Sequence, residues 1–215
     1  MIKIIRLIFL IFIIFLNCED KTNDNFEIRI KKYIAKSAEE RVGFKSNLYE
    51  HYELTKLSFD TSLVKYDIYK AIFTLASPIT EFHVAYHKGT DEIIDLGIFQ
   101  NNNPIGFSKI IKYKNLQSQS DIEKILTYYF EIYDEGDVLN GISDIIGINK
   151  NNELKDIIKP MEITLKNDIW EISLFTWSSK SGKILKHNII VDKKNGFKDN
   201  IEIIAEDVGN WKAPM

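Results

Sequence analysis

Hydrophobic positions recur along this chain with two different periods, and each change of period marks a new element. From residue 26 to residue 38 the apolar positions follow helical spacing, which predicts a helix over about 26–41 that ends near Gly43. A second helical run is preceded by Ser120 and Glu123, which match a capping box, and Gly136 follows it. We therefore predict a second main helix over about 120–134.

Alternation of apolar and polar residues dominates between and after these helices. Two glycine-containing turn signals, Lys180-Ser181-Gly182 and Lys194-Asn195-Gly196, separate alternating runs in a manner typical of hairpins. The pattern predicts an α+β fold, with antiparallel β-sheet packed by two main amphipathic helices. The predicted strands lie at about 64–75, 82–86, 93–99, 105–113, 161–165, 169–177, 183–191 and 201–205.

The first 18 residues follow neither period. Lys3 and Arg6 precede an unbroken apolar run, Leu7 to Leu16, and Asn17 and Cys18 follow it. A short charged segment, an apolar segment and an abrupt polar boundary are the pattern of a secretory signal peptide. Cys18 at this boundary resembles the lipobox of bacterial lipoproteins. The resemblance implies that peptide 1–17 is removed, that the Cys18 thiol is diacylated, and that the new amino group is also acylated.

Two alternatives for this segment stay open. A retained membrane anchor is one, although the 13 residues from Ile4 to Leu16 reach only about 20 Å, against a bilayer core of ~30 Å. Secretion without lipid is the other, although Phe15 and Asn17 are not the small residues that such cleavage usually needs. The same two positions depart from the lipobox, which has leucine and a small residue there.

The remaining composition fits a lipid-anchored globular domain. Residues 18–25 are predicted to be the lipidated cysteine and a polar tether, Glu19–Asn25, and residues 26–215 an α+β domain. The chain without its first 17 residues keeps 26 Lys and Arg against 31 Asp and Glu, a net charge of −5. This acidic balance argues against nucleic acid as a partner. Membrane attachment is therefore expected to rest on the acyl chains of Cys18.

A short internal similarity predicts two tandem units. Lys65–Lys70 (KYDIYK) resembles Lys166–Glu171 (KNDIWE), 101 residues later, and each half starts with a helical pattern and continues in strands. The halves would be 26–115 and 119–210. The alternative is coincidence, because strand segments share a biased composition.

His83 and His87 are the most obvious candidates for a metal site, since histidines four residues apart on a helix can share a zinc ion. The surrounding alternation instead predicts a strand, in which the two residues are separated by about 13 Å. We therefore expect two histidines on the solvent-facing side of a strand, with no shared metal. No motif in the sequence implies a metal, a cofactor or a catalytic residue.

Phe175 and Trp177 are the candidate binding residues. Along the strand 169–177, Trp170, Ile172 and Leu174 share the core-facing side, which leaves Phe175 and Trp177 on the other side. If exposed, this pair is a candidate patch for binding protein or sugar; the alternative is that a helix or second sheet covers it.

The sequence thus predicts a lipid-anchored protein of the bacterial envelope, facing the periplasm or the exterior. We expect it to act as a binding or assembly module for an unknown protein or polymer. The alternative is an exported enzyme that acts on an envelope or host polymer. A pocket with several converging titratable groups would favour the enzyme, and a groove-like sheet face would favour the binding module.

Overall fold

The structure is a computed structural model, which describes residues 26–40, 43, 45–75, 80–98, 101–102, 104–133, 136–145, 147 and 152–209. Two antiparallel sheets alternate with two helical layers, so the predicted α+β class is confirmed. The helices are α1 (26–40), α2 (Pro104–Ile110), α3 (Gln119–Tyr133) and α4 (Asn152–Ile157). The strands are β1 (Tyr52–Leu57), β2 (Asp67–Phe73), β3 (Thr80–His87), β4 (Glu92–Ile98), β5 (Asn101–Asn102), β6 (Asp137–Leu139), β7 (Glu162–Lys166), β8 (Ile169–Ser178), β9 (Lys183–Asp192) and β10 (Gly196–Ala205).

The first sheet is a meander in the order β1-β2-β3-β4-β5, with α1 packed on its outer face. Ile30, Ile34 and Ala38 of α1 are fully buried at helical spacing, as the sequence pattern predicted. They pack against alternate residues of β1, β2 and β3, which form one core cluster with them. At the sheet margin, Arg29 forms an ion pair with Asp91 at 2.9 Å. The hydrogen bond that Arg29 donates to the Asp91 carboxylate lowers the pKa of Asp91, and a hydrogen bond from the Tyr86 hydroxyl lowers it further.

The second sheet has the order β10-β9-β8, and both β6 and β7 pair with β8. The helices α2 and α3 lie between the two sheets, where their apolar side chains form the largest core cluster. This cluster joins the inner face of the first sheet to the inner face of the second. The molecule is therefore layered in the order α1, first sheet, α2 with α3, and second sheet.

The helix α2 corrects the strand that was predicted over 105–113. Pro104 is its first residue, a position that suits proline because the first helical N–H has no partner within the helix. Phe107, Ile110 and Ile111 are completely buried, at i, i+3 and i+4 spacing. The β-branched isoleucines suggested a strand, but the helical spacing and the proline are the signals that the structure follows.

The helix α3 is confirmed, but its capping residues differ from the predicted ones. The hydroxyl of Ser118, not of Ser120, accepts a hydrogen bond from the backbone N–H of Asp121 at 3.2 Å. The Asp121 carboxylate in return accepts the backbone N–H of Ser118 at 2.9 Å. This is a capping box that uses aspartate in place of Glu123, and its hydrogen bonds lower the pKa of Asp121.

Each half of the chain contains a long helix and an antiparallel meander, in line with the arrangement that led us to predict a duplication. The two similar segments nevertheless differ locally. Asp67 begins strand β2, whereas Asn167 and Asp168 form a turn between β7 and β8 with positive φ angles of 50° and 63°. The duplication therefore stays a prediction.

Candidate functional site

Part of the outer face of the second sheet is a broad surface of mostly polar side chains. Strand registry places its side chains in two rows that run across β7, β8, β9 and β10, and we call these eight residues the polar face. All but Ser173, which is half-buried, are exposed, and all but Lys198 border a shallow cleft of about 390 Å³. The rows are Glu162, Ser173, Asn188 and Asn200, and then Thr164, Glu171, Ile190 and Lys198.

This surface follows from the alternation of the strands. Trp170, Ile172 and Leu174 of β8 point inward to α3, so Glu171 and Ser173 must point outward. The chemistry of the polar face is that of hydrogen bonding, since the amides of Asn188 and Asn200 each offer donors and an acceptor. A ligand that lies across the strands could engage both amides and the Ser173 hydroxyl together. The polar face therefore presents hydrogen-bonding groups in a line across the strands, which is the arrangement that an extended polar ligand would require.

A second cleft, of about 490 Å³, lies beside the exposed side of α3 at the end of β8. The charged residues Glu131, Asp137 and Lys180 border it, and all three are exposed to solvent. Gly136 is required at its base: its φ is +93°, and a Cβ atom there would lie 2.5 Å from the carbonyl oxygen of Trp177. The exposed charges lack the desolvated surroundings in which acid–base groups are usually tuned for catalysis. This cleft therefore offers weaker support for an enzyme than for binding.

Three buried polar side chains form a hydrogen-bonded chain across β8, β9 and β10. Thr176 Oγ1 lies 3.0 Å from His187 Nε2, and His187 Nδ1 lies 2.8 Å from Asp199 Oδ2. Hydroxyl, imidazole and carboxylate occur in this order in the catalytic triads of hydrolases. Thr176 and His187 are, however, 0% exposed, and the Phe130 ring stands edge-on to His187 at 5.2 Å. A substrate in solvent cannot reach the hydroxyl, so this network serves the fold.

Phe175 and Trp177 do not form an exposed binding patch, because the alternative, that other elements cover the pair, is the one that the structure shows. Both residues lie on the predicted side of β8, but they are only 5% and 2% exposed. The segment after β6 and the helix α4 cross this end of the outer face and form a third apolar cluster over it. The indole N–H of Trp177 donates to the carbonyl oxygen of Val208 at 2.9 Å. The cover comes from Leu139, Ile145, Leu154, Ile158 and Val208.

His83 and His87 lie on β3, so the predicted strand is confirmed. The expectation that both face solvent is wrong for His83, which is 7% exposed. It lies on the same side of β3 as Ala85, which packs in the core cluster between the two sheets. His87 is half-buried, with its ring against Tyr66 at 5.1 Å, and its Nδ1 accepts the backbone N–H of Thr90. Within the described ranges, no three His, Cys, Asp or Glu side chains are grouped so that they could hold a metal ion.

Cys18 and the tether Glu19–Asn25 lie outside the described residues. None of the helices within the described ranges has the length and apolar content needed to cross a bilayer. No known protein family, curated protein or solved structure matches this chain.

Proposed function

We propose that this protein is a lipid-anchored envelope protein that acts as a binding or assembly module through the polar face of its second sheet. The anchor is the proposed acyl modification of Cys18. The observation that carries the proposal is that the polar face and the start of the domain lie on opposite sides of the layered fold. Phe26, the first residue of α1, comes eight positions after Cys18, and α1 forms the outermost layer at the opposite side of the molecule.

This arrangement orients the polar face relative to the membrane. The seven residues Glu19–Asn25 reach at most about 25 Å when fully extended, which keeps the α1 side of the domain near the membrane. The first sheet and the α2–α3 layer then lie between the membrane and the second sheet. The polar face consequently points away from the bilayer, where an envelope polymer or protein can reach it.

The enzyme remains the alternative, with weaker support. Its candidate nucleophile, Thr176, is buried, and the charged residues at the cleft beside α3 are exposed to solvent. An open polar sheet face fits recognition better than it fits chemistry that requires water to be excluded.

Metabolic labelling with an alkyne-bearing fatty acid tests the anchor. We expect label on the wild-type chain and none on Cys18→Ser, because the thiol is the proposed site of acylation. The variant should also leave the membrane fraction, since two or more acyl chains are needed for stable attachment. Equal labelling and equal membrane association of both chains would contradict the anchor.

Photo-cross-linking in intact cells tests the polar face. A photoreactive amino acid at Asn188, in the middle of this face, should give specific adducts that a matched probe at Lys36 of α1 does not give. Both positions are exposed, but Lys36 lies on the layer that we place nearest the membrane. Adducts of the same kind at both positions would contradict a specific surface. A captured polymer that is shortened during the reaction would favour the enzyme.

A further inference from the structure

Among the residues that the structure describes, the strand β10 is paired on one edge only and ends the second sheet. This edge pairs with β9 along its length, and no described residue forms a ladder with the other, free edge. The exposed residues of β10 include two isoleucines, Ile201 at 44% and Ile203 at 54%. An edge strand that carries exposed apolar residues is a template for pairing with another strand.

The open part of this edge is short and has defined limits. At its start, the backbone N–H of Phe197 points away from β9 and donates to the hydroxyl of Ser108 in α2, at 3.0 Å. At its end, a bulge between Ile203 and Ala205 interrupts the regular register. Because outward-pointing groups alternate, Asp199 and Ile201 also direct their N–H and C=O groups outward. The free edge is therefore centred on Lys198–Glu202.

The charge pattern of this segment is complementary to itself. We propose that two copies of this chain pair through β10, antiparallel and centred on Asn200. In this register, Lys198 of each copy lies opposite Glu202 of the other, and the two Asn200 side chains face each other on the polar face. A shift of two residues along each strand would set Glu202 against Glu202, which is unfavourable. The charges thus select one register for the pair.

The symmetry of this pairing agrees with the layered fold. An antiparallel pair of identical strands in one continuous sheet is related by a two-fold axis perpendicular to the sheet. Such an axis keeps both polar faces on one side and both copies of α1 on the other. The two polar faces then join into one surface. Both tethers would start on the same side, which suits attachment to one membrane; this last point alone rests on the proposed anchor.

Cysteine cross-linking tests the pair. Even-numbered residues of β10 form the close, non-hydrogen-bonded pairs across the new interface, with Cα atoms about 4.5 Å apart, a distance that a disulfide can span. The variant Asn200→Cys should form a disulfide dimer on mild oxidation. The matched control is Asn188→Cys, an exposed asparagine directly opposite Asn200 on the inner strand β9. It should not form this dimer.

Charge reversal tests the register. In the Asn200→Cys chain, Lys198→Glu or Glu202→Lys alone should abolish the dimer, because like charges then face each other. The double exchange should restore it. All variants are made with Cys18 and with Cys18→Ser, so that the pairing is measured on membranes and in solution. Three results would overturn the proposal, whether or not Cys18 carries lipid. They are no Asn200→Cys dimer on membranes or in solution, as much dimer from Asn188→Cys as from Asn200→Cys, or a dimer that charge reversal does not affect.

Discussion

Replacing His187 with alanine is expected to lower the free energy of unfolding by about 3–5 kcal/mol. In the native chain its Nδ1 lies 2.8 Å from Asp199 Oδ2, and neither side chain is accessible to solvent. The variant removes the hydrogen-bond partner of the buried Asp199 carboxyl group, and a buried polar group that loses its partner is destabilising, most strongly when it carries a charge. A typical domain is stable by only about 5–15 kcal/mol, so the effect is large. Urea unfolding followed by tryptophan fluorescence measures it.

Two further variants isolate the cause. His51→Ala removes an exposed histidine and should change the free energy of unfolding by less than about 0.5 kcal/mol. The triple variant Thr176→Val, His187→Leu, Asp199→Leu should recover most of the loss, since well-packed apolar residues can replace a buried polar set at little net cost. If His187→Ala unfolds at the wild-type urea concentration, the network does not stabilise the fold.

The longest elements could be predicted because their local signals agree with their packing. In α3, for example, Ile122, Ile125 and Tyr129 follow helical spacing, and all three are completely buried. The sequence also placed β8 and β9 within two residues of their observed bounds, since their alternation continues over a whole strand.

Short elements were harder to predict because competing signals are nearly balanced in them. The seven residues of α2 are rich in isoleucine, which favours strands, and only Pro104 and the spacing of Phe107 and Ile110 indicate a helix. The cap of α3 shows the same ambiguity, as both Ser118-x-x-Asp121 and Ser120-x-x-Glu123 fit the capping pattern. The hydrogen bonds, and not the residue types, distinguish the two.

The candidate sites could not be predicted fully, because they depend on contacts between distant parts of the chain. Phe175 and Trp177 were assigned to the correct side of β8, but the residues that cover that side, such as Ile145, Leu154 and Val208, come from parts of the chain that are distant in sequence. The Thr176–His187–Asp199 network depends on the register of three strands. His187 lies opposite Leu174 of β8 and Ile201 of β10, and Thr176 and Asp199 are each two residues from those positions on the same side of the sheet. A usable signal did exist: His187 and Asp199 each interrupt an alternating apolar run on their own strand, and Thr176 ends the run of Trp170, Ile172 and Leu174.

The middle layer of the fold supplies the second large prediction. Truncating Leu126 of α3 to alanine is expected to cost about 2–5 kcal/mol, which urea unfolding measures. Leu126 is 3% exposed and belongs to the core cluster that joins the two sheets. An isolated helix of 15 residues is marginal in water, so α3 depends on this packing for its own stability. A cavity at Leu126 therefore weakens the helix and both of its sheet contacts together.

Lys124 of the same helix provides the matched control. Its half-exposed side chain reaches Asp60 at 3.3 Å, an ion pair of a kind that contributes at most about 1 kcal/mol. Lys124→Ala should therefore change the free energy of unfolding far less than Leu126→Ala. If both truncations have the same small effect, α3 does not depend on the core between the sheets. The polar face would then rest on a second sheet held mainly by its own strands, and α3 would be better explained as an element that binds a partner.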